Sequence, residues 1–380
     1  MGLFDFFRFF ARNVPPDELL TSRWTPISDG TFTDIARDYD PYKLAWRVGV
    51  GAFESWFQGL EQRLGQSLGR RLAHAAVEYE EHMMSFAGYA LPSGRDSSTW
   101  SGTVQDWQTR GLGRYELLDD GEETRILVDR PASGPICSGL IAAAWEKATG
   151  KRHRFVWSQN SKDGLVVTLT PDNSQPPVPK PRRHDWRDEE FPVPMGELVE
   201  EMWTDLRVDS SGDWSIMNER RMFLHRDLIL RFEDYCLPYL EGIQQGRDDY
   251  SWSNSDHQRE IWWTAAADSM RESFIESNHH IFISKPEDWI QVARRHLSQH
   301  GLGALLSATS LDANGGIELK FRTAFHPALS GGVLLGCWER AYGRNGRLEC
   351  DFSAQAVALR IRPSRAIADG LPRLVCSETL

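Results

Sequence analysis

From Phe53 onward the apolar positions fall at intervals of three and four. Phe53, Phe57, Leu60, Leu64 and Leu68 make one stripe that predicts a helix with a single face turned to a core. The same spacing predicts helices over 72–87 and 100–110, the second stopped by Gly111, whose missing side chain suits a left-handed cap. The period then drops to two: residues 115–117 and 124–128 predict strands joined by a turn at Asp119, Asp120 and Gly121. A helix of small and apolar residues follows, from Gly139 to Gly150, and then strands at 153–157 and 165–170. Ahead of all this, residues 15–40 show little periodicity and read as an irregular arm. Further on, helices are predicted at 195–207, 226–244, 258–277 and from Pro286 to Gly301; in the third, Ile261, Trp262, Ala265, Ala266, Ser269 and Met270 share a face. Strands at 304–309 and 317–322, a helix at 331–342 and strands at 347–352 and 356–362 complete the series.

The second series repeats the first. Gly139, Trp145, Glu146, Ala148 and Gly150 return in the same spacing as Gly332, Trp338, Glu339, Ala341 and Gly343, with Lys147 and Lys151 becoming Arg340 and Arg344. Upstream, Gly111, Leu112 and Gly113 return as Gly301, Leu302 and Gly303; downstream, Pro171 returns as Pro363, and Arg47 has a looser counterpart in Arg221. The fold class expected is therefore α+β: two tandem helix-rich domains, each with a small antiparallel sheet of two hairpins, related by internal duplication. The boundaries expected are 1–46 for an amphipathic segment and arm, 47–171 for the first domain, 172–194 for a Pro-rich linker, 195–363 for the second domain and 364–380 for a tail. Pro176, Pro177, Pro179, Pro181, Pro192 and Pro194 make the linker stiff and extended.

Composition narrows the function more than it names it. The 380 residues carry a net charge of −11 and no basic stripe, so nucleic acid is not an expected partner. The five cysteines are odd in number with no paired spacing, which reads as a reducing compartment; a cytoplasmic protein is expected, with a peripheral place at a membrane or in a larger assembly left open. Leu3, Phe4, Phe6, Phe7, Phe9 and Phe10 form a segment too short to span a bilayer, which takes about 20 apolar residues. These six are the candidate partner-binding residues; docking onto the chain's own domain and lying on a membrane surface are the other two fates open to them. No H-E-x-x-H, G-x-S-x-G or P-loop pattern is present, so binding is expected rather than catalysis, and no catalytic residue is assigned. Cys137 is placed where a helix begins, a setting that stabilises a thiolate, but its counterpart is Ser330 and a structural cysteine is the commoner situation. Trp145 and Trp338, at matched positions, together with Trp262 and Cys137, are the candidate ligand-binding residues; ordinary core packing is the competing account of the tryptophans. Gly139 and Gly332 are expected to let another backbone come close.

A helix ending in Gly111, Leu112 and Gly113, a hairpin, then Cys137, Ser138 and Gly139 leading into a small-residue helix and a closing hairpin, together resemble the 4-vinyl reductase domain. That family belongs with the core subunits of the TRAPP vesicle-tethering complex and resembles the sensory domains of aromatic-responsive transcription activators. The resemblance implies a compact module that holds a small hydrophobic molecule between helices and sheet, often paired with a second copy, hence an adaptor or scaffold. It also implies an alternative: binding or processing of a tetrapyrrole in bacterial pigment synthesis. Some members carry a cysteine metal site in the last hairpin, but residues 152–164 contain no cysteine and the matching stretch only Cys350, so no metal and no fixed cofactor are expected.

Overall fold

The computed structural model describes residues 15–27, 30–37, 44–85, 87, 91–95, 97–120, 123–161, 164–174, 182, 184–186, 202–209, 213–243, 247–353 and 356–365. Among the described residues the first elements are helix α1 (Pro16–Arg23) and strands β1 (Trp24–Pro26), β2 (Phe32–Asp34) and β3 (Leu44–Gly49). Helices α2 (Val50–Leu64), α3 (Gly69–Met84) and α4 (Ser101–Thr109) lead to the hairpin β4 (Arg114–Asp120) and β5 (Thr124–Asp129). Helix α5 (Gly134–Thr149) and the hairpin β6 (Arg152–Ser161) and β7 (Gly164–Asp172) follow. After the connector come β8 (Leu206–Val208), β9 (Trp214–Ile216), β10 (Glu219–His225) and α6 (Arg226–Cys236). The rest is β11 (Tyr250–Trp252), α7 (His257–Glu276), α8 (Asp288–His296), β12 (Gly303–Ser310), β13 (Ile317–Ala324), α9 (Pro327–Tyr342), β14 (Gly346–Phe352) and β15 (Val357–Pro363).

The molecule is α+β, with antiparallel pairing throughout apart from the short parallel strand β11 on β14. Strands β4-β5-β7-β6 form one sheet and β12-β13-β15-β14-β11 another, so the first four strands of each run in the same spatial order. A third sheet, β1-β2-β3-β10-β9-β8, joins the two halves of the chain at its centre. There β3 and β10 run antiparallel, with Arg47 opposite Phe223 and their neighbours paired symmetrically on either side. Counted back from the helix that follows each strand, Arg47 and Phe223 are at the same place. The level partner of Arg47 is thus Phe223 and not Arg221, because helix α6 begins at Arg226.

Packing across this pair is reciprocal: α2 lies on α7 and α3 on α6, while α3 lies on α5 and α7 on α9. The glycines named above are the contact points. A Cβ on Gly139 would stand 2.3 Å from the Ala73 carbonyl oxygen, and one on Gly332 2.2 Å from that of Ala267. Gly111, at φ +75°, would press its Cβ on the Arg221 carbonyl of the other half, and Gly301, at φ +79°, on the Ala45 carbonyl of the first. Trp46, Val48, Met222 and Leu224 alternate onto one face and join an apolar core that runs from Leu44 to Ile361. Ala45 and Phe223, on the opposite face, join a smaller cluster with Trp24, Phe32, Trp203 and Trp214.

Three stretches differ from expectation. Residues 15–40 include α1 and a β1-β2 hairpin rather than an irregular arm; α1 buries only Leu19, Leu20 and Arg23, too few to show a period, and is held by long-range polar bonds. The helix expected at 195–207 ends in strand β8, residues 195–201 lying outside the described set. The helix expected at 226–244 stops at Cys236, where Pro238 turns the chain into a short 3₁₀ segment. In the connector, Trp186 is buried and donates its indole N–H to the Ala324 carbonyl at 2.9 Å.

Candidate functional site

Helices α5 and α9 carry the repeated tryptophans and begin and end alike. Each is 16 residues long, starts with proline in its first turn and ends on a left-handed glycine, Gly150 or Gly343. In each, the glutamate after the tryptophan accepts a backbone N–H from the next strand, Glu146 from His153 at 2.7 Å and Glu339 from Gly346 at 3.0 Å.

The two tryptophans then part company. Trp338 donates to the Gly315 carbonyl at 2.8 Å and packs on Tyr342, so the β12-β13 turn seals it. Trp145 is also buried, but its indole N–H has no partner among the described residues. It lines a cavity of about 90 Å³ between α4, α5 and the β4-β5 hairpin, together with Trp100, Trp107, Tyr115 and Ile141. An unpaired buried N–H costs about 1–3 kcal/mol, a cost that Trp203, Trp214 and Trp289 also carry; what sets Trp145 apart from Trp338 is that an acceptor in this cavity could satisfy it. Trp107, by contrast, is satisfied by the Glu80 carboxylate at 2.9 Å.

Cys137 lies behind this cavity and does not line it. Its thiol points to the Leu112 carbonyl at 3.2 Å, just as the Ser330 hydroxyl donates to the Leu302 carbonyl at 2.8 Å. Both side chains pin a helix start to a Gly-Leu-Gly turn. Burial pushes the Cys137 thiol up, with the Tyr115 hydroxyl beside it acting the other way, so the setting is that of a structural cysteine. Trp262 is wholly buried on α7, its ring tilted against His326 and edge-on to Phe232, away from the cavity. Of the four candidate ligand residues, Trp145 is the one that meets an opening described here. Leu3, Phe4, Phe6, Phe7, Phe9 and Phe10 lie outside the described residues.

Two features carried no sequence signal. The first is a buried polar ring that fastens α1 and β2 to the body. Arg23 grips Asp34 with two hydrogen bonds, 2.9 and 2.6 Å, and also meets Asp106 at 2.7 Å. Arg110 bonds the other oxygen of Asp106 at 2.7 Å and donates to the Tyr79 hydroxyl at 2.8 Å. Tyr79 bonds one nitrogen of His225, whose other nitrogen returns to Asp34 at 3.1 Å and closes the ring. Arg23 beside it holds the Asp34 carboxyl well below the usual range, against the opposing pull of burial. These charges answer one another, which makes the ring structural.

The second is a cleft of about 580 Å³ bounded by β3, β10, α7 and α8. Its residues are wide apart in sequence, and no local pattern announces them. Among the described residues, no group of three or more His, Cys, Asp or Glu is placed to hold a metal ion, and no helix is long and apolar enough to cross a membrane. Compared with family models, with curated proteins and with solved structures, the chain matches none.

Proposed function

We propose that the chain is a non-enzymatic small-molecule-binding protein that acts as an adaptor, built from two fused copies of a unit resembling the 4-vinyl reductase domain and set as a pseudo-dimer. The recurring element order, the matched sheet orders and the reciprocal glycine contacts support the duplication. The observation that carries the binding role is the Trp145 indole N–H, buried, unpaired and on the wall of an aromatic cavity. Its counterpart Trp338 is sealed by the Gly315 carbonyl, so among the described residues the seat beside Trp145 has no equal at Trp338. An enclosed apolar cavity of about 150 Å³ holds benzene, so 90 Å³ is too small to enclose a whole ring and suits the inner part of one that points a hydrogen-bond acceptor at Trp145, its outer edge reaching the exposed Glu116. A tetrapyrrole is several times too large for this seat, so the Trp145 cavity does not support pigment handling.

The test is calorimetric titration of the full chain with phenol and with toluene, repeated on Trp145→Phe. Phenol should bind more tightly than toluene, and the variant should remove that preference, a change of about ten-fold for one hydrogen bond of about 1.4 kcal/mol. Absence of binding, or equal binding by the variant, would overturn the ligand role. The adaptor role is tested separately by pull-downs with and without residues 1–14: loss of one specific partner supports it, and a lowered melting temperature with no lost partner opposes it.

A further inference from the structure

The 580 Å³ cleft is the mirror position of the buried polar ring. Because Gly139 meets Ala73 and Gly332 meets Ala267, α3 and α7 are level, and Tyr79 and Glu80 correspond to Ser273 and Phe274. His300 precedes Gly301 as Arg110 precedes Gly111, and His296 stands as far ahead of Gly301 as Asp106 does of Gly111. Ser273, Phe274, His296 and His300 all line the cleft. In the first half this place is packed by the chain's own Arg23, which answers the carboxylates of Asp34 and Asp106. In the second half the place is open, and the sign of its charge is reversed.

The cleft wall presents the cations Arg47, Arg221 and Arg295 against one carboxylate, Glu219, with the rings of His279, His296 and His300 between them held towards the neutral form by burial. Arg47 is 5% exposed and pairs with no carboxylate among the described residues. Two of its nitrogens donate to the carbonyls of Met202 and Gln299, and its Nε has no partner. Arg221 is tied to Glu219 at 2.6 Å, and its Nε is likewise buried and unpartnered. Burial and the neighbouring Arg221 push Arg47 down to about 9, the mark of a cation short of counter-charge. A buried charge without a partner costs several kcal/mol, which a bound anion would offset. The remaining wall is apolar, with Met202, Ile216, Met270, Phe274 and Val333, and the volume is that of an ordinary small-molecule site, about 300–1,000 Å³.

We propose that this cleft binds an organic anion with an apolar body, its carboxylate or phosphate head at Arg47 and Arg221 and its tail along Met270, Phe274 and Val333. The site is separate from the Trp145 cavity and does not depend on it.

The test titrates the full chain with octanoate, octyl phosphate, octan-1-ol and inorganic phosphate. One of the two amphiphilic anions should bind at least about ten-fold more tightly than both octan-1-ol and inorganic phosphate, as expected for hydrogen bonds to a charged group, and the better of the two identifies the head. Arg221→Met should weaken it by about ten-fold or more with the melting temperature unchanged, and Arg295→Met, at the exposed rim, by less. Arg47→Met is the harsher variant, since Arg47 also holds two carbonyls. Octan-1-ol binding as tightly as octanoate, inorganic phosphate binding as tightly as octyl phosphate, no binding by either anion, or full affinity in Arg221→Met would each overturn the proposal. Phenol binding that survives Arg221→Met keeps this outcome distinct from that of the Trp145 cavity.

Discussion

One methyl group is enough to test the helix contacts. A Cβ at Gly139 or Gly332 would lie inside contact distance of the Ala73 or Ala267 carbonyl, backbone that cannot swing aside as a side chain can. Gly139→Ala and Gly332→Ala should each destabilise by about 1–3 kcal/mol, the usual cost of overpacking, read as a shift in the denaturant midpoint. These two glycines were legible in the sequence, because each stands at a fixed distance from a repeated tryptophan. The difference between Trp145 and Trp338 was not. It depends on whether a distant turn supplies a carbonyl, and Gly315 does so for one of them only among the described residues. The shared duty of Cys137 and Ser330 was visible as a substitution, but the carbonyls of Leu112 and Leu302 that explain it were not.

Among elements, α2 was legible from its stripe, with Phe53, Phe57, Leu60 and Leu64 inside, and α5 and α9, buried on every side along most of their length, from their matched residues. The N-terminal α1 was hidden because its stability lies in Arg23 and not in a stripe. Asp34→Asn removes the negative charge facing Arg23 and His225 and leaves a buried guanidinium underpaired. It should cost about 3–5 kcal/mol, the price of breaking a buried pair. Because Trp24 stacks on Phe223 at 4.0 Å beside the ring, the same variant should loosen α1 and β1 first, measured as faster amide exchange there. The strands β8 and β9 were also illegible, being three residues each, β9 paired to β10 and β8 to β9, too short to show an alternating period.

At the scale of the whole molecule, stability should fall with acid in two steps. Burial first, then His279 and Arg295, hold His296 down at about 4 from an ordinary 6.5. The folded protein therefore keeps this ring neutral while the unfolded chain protonates it, so its contribution is full above about pH 6.5 and is lost as pH falls towards 4. Asp34 and Asp268, both held well below the usual carboxylate range, keep their contribution until pH falls below about 4, where the unfolded chain takes up protons first. Melting temperature against pH should show both steps, and His296→Gln should shrink the first, leaving the share of His300, which burial also holds well below its ordinary value, and leaving the second intact. The cleft that contains His296 could not be read from the sequence, since it forms only where β3, β10, α7 and α8 converge.

The glycine turns at Gly111 and Gly301 act as a mutual clasp. Each half reaches across and seats its own turn on the other half's central strand, against Arg221 in one direction and Ala45 in the other. A protease that severed the connector would therefore not set two modules free. The severed pieces would stay locked as a heterodimer, because removing either half would leave the central strand edge of the other uncovered.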